Sequence, residues 1–356
     1  MRIIIRLLAG FILIILLISF LAAYIPPSAS FLFAIAGLGF PIFWMSGLLM
    51  VVFLFIISEK WLSMLGSLIL IISAPTFLHY FNLAITEKHR EYQYSIFDFN
   101  TFGLKYPDTT SNQVENQKSL NKYLNSENFS VVCLQEYPMK GSKHAPFYKE
   151  LDEGLHLPYK TLSHYFWDQK NTEYTLVTAS RYLIIDEKVF TRDGLNFAMY
   201  SDIKFPKGTI RVYNIHFQSV KLTTERKLLM LNRHFNLHTL KIQVTDAIRK
   251  LRIAFLYREK QALMLAESIK SSPYPVIIAG DFNDTPSSFV YKTMKKGLKD
   301  ATSSNNSGFK RTYKFSRFPL QIDYLLHSRS IKSGNFKAKR LHLSDHYSIS
   351  SGFSFE

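Results

Sequence analysis

Three long apolar segments crowd the first 86 residues, and they restrict what this chain can become before any motif is considered. Ile3 to Tyr24 is almost continuously apolar apart from Arg6, Phe31 to Ile57 carries no charge, and neither does Trp61 to Ile85. A helix rises about 1.5 Å per residue, so a hydrocarbon core of about 30 Å needs roughly 20 apolar residues. Each segment reaches that length. A cleaved leader is the competing reading of the first, because Arg2 and Arg6 open it and the small pair Ala22-Ala23 closes it. Its apolar stretch exceeds the usual roughly 7 to 15 residues of such leaders. Two more apolar segments also follow, after short connections at Pro26-Pro27-Ser28 and Ser58-Glu59-Lys60. The expectation is therefore an anchor of three transmembrane helices at about 3–24, 31–57 and 61–85, with one further domain over 91–356.

Orientation follows from basic residues near the ends of the spans. With three crossings, Arg2, Arg6 and Lys60 share one side, and the loop from Ile25 to Ser30 has no Lys or Arg. This pattern puts the N-terminus inside and the large domain on the extracytoplasmic side of a multi-pass membrane protein.

The formal net charge is +16, and residues 1–86 hold only Arg2, Arg6, Lys60 and Glu59, so +14 belongs to the remainder. A field of that sign attracts polyanions: nucleic acid, anionic lipid surfaces and phosphorylated small molecules. The lone cysteine, Cys133, excludes an intramolecular disulfide and a cysteine-based zinc site. Its setting in Val131-Val132-Cys133-Leu134 is that of a small buried strand residue.

Beyond Glu91 short β-rich runs alternate with turns and a few helical stretches. Strands are expected at Tyr94–Phe99, Ser130–Gln135, Tyr174–Ala179, Tyr182–Ile185, Phe197–Ile203, Thr209–Phe217, Pro275–Ala279, Gln321–Leu326 and Tyr347–Phe353. Helices are expected at Asn112–Asn125, Ala254–Ser271 and Ser287–Lys296. In one strand Arg211, Tyr213, Ile215 and Phe217 alternate with Val212, Asn214 and His216, which suits layered α and β. The stretch from about 219 to 260 holds ten Lys or Arg against Glu225, Asp246 and Glu259, and also carries Leu228, Leu229, Leu231 and Leu237. It reads as a basic helical insertion, either simply solvated or lying against an anionic membrane surface or substrate.

The chemistry concentrates where apolar runs end. Pro275-Val276-Ile277-Ile278-Ala279 turns into Gly280-Asp281-Phe282-Asn283-Asp284-Thr285-Pro286. Asp and Asn two residues apart at a strand end put two oxygen-bearing side chains on one side of a sheet rim, which suits a hard cation or a phosphate. A plain turn uses the same residue types. Comparable positions recur at Asn100 after Phe99, at Glu136 after Gln135, at Asn214 and His216, at Asp323 in Gln321-Ile322-Asp323-Tyr324, and at Ser344-Asp345-His346.

In this order the motifs Phe99-Asn100, Leu134-Gln135-Glu136, Ala179-Ser180-Arg181, Asn214-Ile215-His216, Gly280-Asp281-Phe282-Asn283, Ile322-Asp323-Tyr324 and Ser344-Asp345-His346 resemble the endonuclease/exonuclease/phosphatase superfamily. The resemblance covers roughly Tyr94 to Phe353, and the three apolar segments are similar to the anchor of membrane-bound bacterial members. It implies an α/β fold, a four-layer α-β-β-α sandwich of two packed mixed sheets, preceded by three transmembrane helices. It also implies a hydrolase of phosphate ester bonds that uses Mg²⁺ or Mn²⁺ and in-line attack by water. Glu136 would ligate the metal with Asn100 and Asp345 close to it. Asp281 would orient or deprotonate the water, and Asn283 would hold a phosphate oxygen or the nucleophile. His346, oriented by Asp323, would act as acid-base group or stabilise the pentacovalent centre, the roles of Asp281 and His346 being exchangeable, and His216 would bind the scissile phosphate.

Some nuclease members carry an acidic residue two places beyond the first Asn; Phe102 stands there in this chain, a departure from the abasic-site branch. Asn214-x-His216 is closer to the phosphatase, sphingomyelinase and deoxyribonuclease branches. Two substrate classes follow. One is nucleic acid, gripped by the basic surface and by Tyr165, Phe166 and Trp167. The other is a phospholipid or inositol phosphate, met at the membrane. A non-catalytic membrane binding protein that kept the fold is the reading from outside enzymology.

Overall fold

The computed structural model describes residues 2–82, 91–105, 112–140, 146–167, 172–220, 237–303, 308–314 and 319–355. Its helices are α1 (Arg2–Leu21), α2 (Phe31–Leu38), α3 (Phe40–Ile56), α4 (Lys60–Phe77), α5 (Gln113–Glu127), α6 (Pro146–Gly154), α7 (Leu237–Lys270) and α8 (Phe289–Met294). Its strands are β1 (Phe81–Asn82), β2 (Tyr94–Asn100), β3 (Val131–Lys140), β4 (Tyr159–Trp167), β5 (Thr172–Ser180), β6 (Ile184–Arg192), β7 (Leu195–Phe205), β8 (Gly208–His216), β9 (Val276–Asp281), β10 (Leu298–Asp300), β11 (Gly308–Phe309), β12 (Asp323–Ser328), β13 (Lys332–Lys339) and β14 (Ser348–Ser354).

These elements form two compact units, one of residues 1–79, 218–265 and 283–294, the other of residues 80–217, 266–282 and 295–356. In the first unit, α1 and α4 are each long and apolar enough to cross a membrane. The expected span 31–57 is broken: α2 and α3 meet at 73°, which leaves two candidate spans among the described residues, or three if the bent pair counts as one. The break falls at Gly39, with Pro41 in the first turn of α3. Proline has no N–H for the ladder and its ring clashes with the carbonyl four residues before it, so a helix cannot run on undisturbed through Pro41. The third segment, expected to run to 85, leaves the helix at Phe77. Ala9, Leu13 and Leu16 of α1 are buried, whereas Ile3, Ile4 and Leu7 are each at least 70% exposed. Arg6 donates two hydrogen bonds of 3.1 Å to the Glu59 carboxylate, setting the start of α1 beside the turn between α3 and α4.

The second unit holds two six-stranded sheets, ordered β13-β14-β2-β3-β5-β4 and β10-β12-β9-β8-β7-β6. Both are mixed, since β2 and β3 pair in parallel within the first, and β8 and β9 within the second. The parallel link between β8 and β9 needs a long crossover, and α7 lies in it. The expected helix from Ala254 and the described part of the basic stretch are thus one continuous helix; Lys221, Arg226, Lys227 and Arg233 lie outside the described residues. Strand β4, which carries Tyr165, Phe166 and Trp167, as well as β13 and α6, were not expected from the sequence.

Alternation builds the layers. Ile96, Val131 and Cys133 of one sheet pack with Val212, Ile277, Ala279 and Leu325 of the other to form the inner core. The intervening residues Phe97, Phe99, Val132 and Leu134 face outward against Leu120 and Leu124 of α5 and Leu151 of α6. Helix α5 starts with a reciprocal cap, Asn112 Oδ1 accepting from Glu115 N at 2.9 Å and Glu115 accepting from Asn112 N at 3.3 Å. On the far face, Ser268 in the last turn of α7 hydrogen-bonds the Tyr213 hydroxyl at 2.9 Å. The layer order is α-β-β-α.

Candidate active site

The same period of two that builds the inner core sets out the polar residues at one end of it. Asp98 and Asn100 follow Ile96 on β2, Gln135 follows Cys133 on β3, Asn214 and His216 follow Val212 on β8, Asp281 follows Ala279 on β9, and Asp323 precedes Leu325 on β12. All of them are buried. Pairing aligns them: His216 is the partner of Asp281 across the parallel β8–β9 pair, and Asp323 is the partner of Asp281 across β9–β12. Three chemical groups therefore stand in a row over adjacent strands.

Gly280 makes that row possible. Its φ is +148°, and a β-carbon there would overlap the backbone carbonyl of Ile215 on the adjoining strand. Only glycine lets β9 approach β8 so closely just before Asp281.

From the facing sheet, Asn100 Nδ2 donates to Asp281 Oδ2 at 3.0 Å, and Asn100 Oδ1 accepts from Phe102 N at 3.0 Å. Glu136 arrives by a different device. Strict alternation would turn it away from the face that Gln135 occupies, but the β3–β5 register shifts between Leu134 and Tyr137 and Glu136 has φ +49°. This bulge brings its carboxylate to 3.3 Å from His216 Nε2, which is also 3.8 Å from Asp281 Oδ2.

His346 closes the cluster. Its Nδ1 lies 3.0 and 3.1 Å from the two Asp323 oxygens, and its Nε2 lies 3.7 Å from Asp281 Oδ2 and 4.0 Å from Asp345 Oδ1. Ser344 Oγ donates to the Asn100 carbonyl at 2.7 Å and accepts from His346 N at 3.1 Å, tying this loop to β2. Thr312 Oγ1 accepts from Asp323 N at 3.1 Å, and the Tyr313 ring meets the His346 ring edge-on at 5.2 Å.

Burial opposes charge on His346, yet Asp323, Asp281 and Asp345 outweigh it and hold the imidazole protonated well above its ordinary range. Burial, reinforced by Asp323, pushes Asp98 well up. Burial likewise raises Asp345, against the pull of His346. Two carboxylates about 4 to 5 Å apart repel by roughly 3–4 kcal/mol at an effective dielectric near 20. Five carboxyl groups (Asp98, Glu136, Asp281, Asp323 and Asp345) surround two imidazoles here. Carboxyl groups outnumber the imidazoles, and the oxygen donors suit a hard divalent cation. Asp281, Asp323 and His346 place their ligand atoms within 4.8 Å of one another.

Seven of the eight residues expected from the sequence thus come together: Asn100, Glu136, His216, Asp281, Asp323, Asp345 and His346. The eighth, Asn283, follows Asp281 by two residues, has φ +52°, and belongs to the other compact unit. Arg181, part of a motif quoted above, is not brought in. It lies at the start of β3, opposite to Glu136, with its guanidinium on the Asn128 side chain. Sequence reasoning singled out Asn214 but passed over Asp98 and the buried string that links the two beneath the site, in which Gln135 Nε2 donates to Asp98 Oδ1 at 2.7 Å and to Asn214 Oδ1 at 2.8 Å. The signal was present: Asp98 and Asn214 stand two residues before Asn100 and His216, on the same faces.

Residues 99–346 match the model of the Endonuclease/Exonuclease/phosphatase family. Residues 2–80 match a domain of unknown function. No curated protein matches the chain. Among solved structures, an endonuclease/exonuclease/phosphatase from Beutenbergia cavernae is similar with a TM-score of 0.53 and 13% identity, over 74% of this chain and 72% of that one. One from Bacteroides vulgatus gives 0.50 and 19%, over 74% and 99%. The human Nocturnin catalytic domain, with bound sulfate, gives 0.50 and 15%, over 74% and 94%.

Proposed function

The chain belongs to the Endonuclease/Exonuclease/phosphatase family and is a phosphoester hydrolase, and from that premise we propose a membrane-anchored enzyme that depends on Mg²⁺ or Mn²⁺ and hydrolyses its substrate by direct attack of water. The observation that carries this reading is the placement of His346, with Nδ1 on Asp323 and Nε2 facing Asp281.

Asn100, Glu136 and Asp345 would hold the cation, which when bound would neutralise charge on a phosphate oxygen. Asp281, oriented by the amide of Asn100, takes up or directs the proton of the attacking water. Asp323 accepts from Nδ1 of His346, which leaves Nε2 to donate towards the phosphate or the leaving oxygen. His216, seated between Glu136 and Asp281, is turned to the same centre and contacts the scissile phosphate. Asn283, two residues after Asp281 in the chain, would hold a phosphate oxygen or the nucleophile. Positioning and charge complementarity supply most of the rate in phosphoryl transfer.

Two substrate classes each have an observation in their favour. The +14 carried beyond residue 86 suits a nucleic acid phosphodiester. The outward-facing Ile3, Ile4, Leu7 and Trp61 of the anchor helices support residence in a bilayer, and with it a phospholipid or inositol phosphate. On the charge pattern of Arg2, Arg6 and Lys60 the catalytic domain lies on the extracytoplasmic side. The test is a panel of DNA, RNA, phospholipid vesicles, inositol phosphates and phosphosugars, presented to the full chain in detergent with Mg²⁺, Mn²⁺ or chelator. Metal-dependent release of phosphate or cleavage of strands, absent from His346→Ala, is the expected result. Activity unaffected by chelator, or retained by His346→Ala, would overturn the proposal.

A further inference from the structure

Helix α7 buries two opposite charges side by side. Its inward stripe of Ala254, Phe255, Ala262 and Leu265 is interrupted by Arg258 and Glu259, which are only 1% and 7% exposed. An ion is buried stably only where partners compensate its lost hydration, so the partners identify what the pair holds. For Glu259 they lie in the turn between α1 and α2: its carboxylate accepts from Ser28 N at 2.7 Å and from Ser28 Oγ at 2.6 Å. For Arg258 they lie just after the strand that ends on Asp281. The guanidinium donates to the backbone carbonyl of Asn283 and stands 3.4 Å from Asp284 Oδ2, with its plane over the Phe255 ring.

A second tie joins the same two segments. Ser287 Oγ donates to the carbonyl of Gly37 in α2 at 2.7 Å. A β-carbon on Gly37 would stand 2.7 Å from that of Ala22, so only glycine lets the chain pack there. All of these contacts fall inside the first compact unit. Asn283 itself has the left-handed backbone, with φ +52°, which asparagine adopts more readily than other non-glycine residues. A carbonyl held by a buried guanidinium, and a following Asp284 that pairs with the same group and accepts from Thr285 N at 2.9 Å, keep it in that conformation.

We propose that Arg258 is a positioning residue for Asn283, and that the anchor, through Ser28–Glu259 and Gly37–Ser287, holds the loop Asn283–Ser288 in its working conformation. The inference rests on the reading of Asn283 as a catalytic group, so its test includes an arm that needs no turnover.

In the full chain in detergent, amide hydrogen exchange is followed over residues 282–288 and over β9. Arg258→Ala, Glu259→Gln and the milder Ser28→Ala are expected to speed exchange in 282–288 by about tenfold or more while leaving β9 unchanged. In turnover, Arg258→Ala and Asn283→Ala each lower kcat. The double variant falls no further than Asn283→Ala alone, because one residue acts through the other. Arg258→Lys recovers only part of the rate, since an ammonium cannot span both acceptors as the fork does. If Arg258→Ala does not fold, Glu259→Gln and Ser28→Ala carry both arms. Unchanged exchange in 282–288, or effects that multiply in the double variant, overturn the proposal. Full kcat in Asn283→Ala with loop exchange still raised overturns the catalytic reading of Asn283 and is thereby told apart from failure of the clamp.

Discussion

Asn100 and Asp281 are joined by a 3.0 Å hydrogen bond between strands of different sheets, 181 residues apart in the chain. The amide has a fixed direction because its oxygen is engaged by Phe102 N, so it presents N–H, not oxygen, to the carboxylate. Removing the side chain takes that donor from Asp281. Asn100→Ala is expected to lower kcat about 10²- to 10³-fold with an unchanged far-UV circular dichroism spectrum. A loss below about fivefold would separate Asn100 from the reaction.

The Asp323–His346 pair yields a second expectation. Asp323→Asn preserves volume but offers Nδ1 only one acceptor atom, and it removes the charge that outweighs burial of the imidazolium. With the metal saturating, kcat is expected to fall about 10²- to 10⁴-fold and KM to change little. A variant in which KM alone rises would mean that the pair binds substrate and takes no part in the chemical step.

At Gly280 the expected effect is on folding. Alanine there meets the Ile215 carbonyl in the adjoining strand, and neither backbone can yield without parting β8 from β9. Gly280→Ala should cost more than about 4 kcal/mol. Measured as the shift in thermal unfolding of the full chain, it should also abolish activity. A variant that melts within a few degrees of the parent would contradict the packing described.

Stability should also depend on pH through His327. The ring is buried, its Nε2 meets Ser333 Oγ at 2.7 Å, and its Nδ1 lies 2.9 Å from the Ser328 carbonyl, to which it donates. Burial lowers its pKa below the ordinary value of 6.5. The neutral ring therefore contributes stability that is complete above the unfolded pKa and is lost as pH falls through it towards the folded one. Thermal unfolding at about pH 8 and pH 5 should show the gap between parent and His327→Gln narrowing in acid. A gap that stays constant would mean that the ring does not titrate in this window.

Much of the site was legible because it rides on the same alternation as the core. Anyone counting by two from Ile96, Val212 or Ala279 reaches Asn100, His216 and Asp281, whereas the break before Pro41 was not anticipated in the span expected at 31–57. The reach of Glu136 was not legible, because it depends on a bulge whose register is set against β5, some 40 residues further on. Nor was the pairing of Arg258 and Glu259, which in a basic helix look like solvated charges until their partners at Asn283, Asp284 and Ser28 are known.

The chain's own order of residues thus settles which side chains share a face, where apolar segments run, and what chemistry the strand ends carry, since all of these depend on neighbours within a few positions. Which strand lies beside which, and so whether Asp281 meets Asn100, Asp323 and His216 at once, is settled only by long-range pairing and packing. The reason is physical: periodicity is a local property of the backbone, whereas register is chosen by the burial and hydrogen bonding of two sheets together.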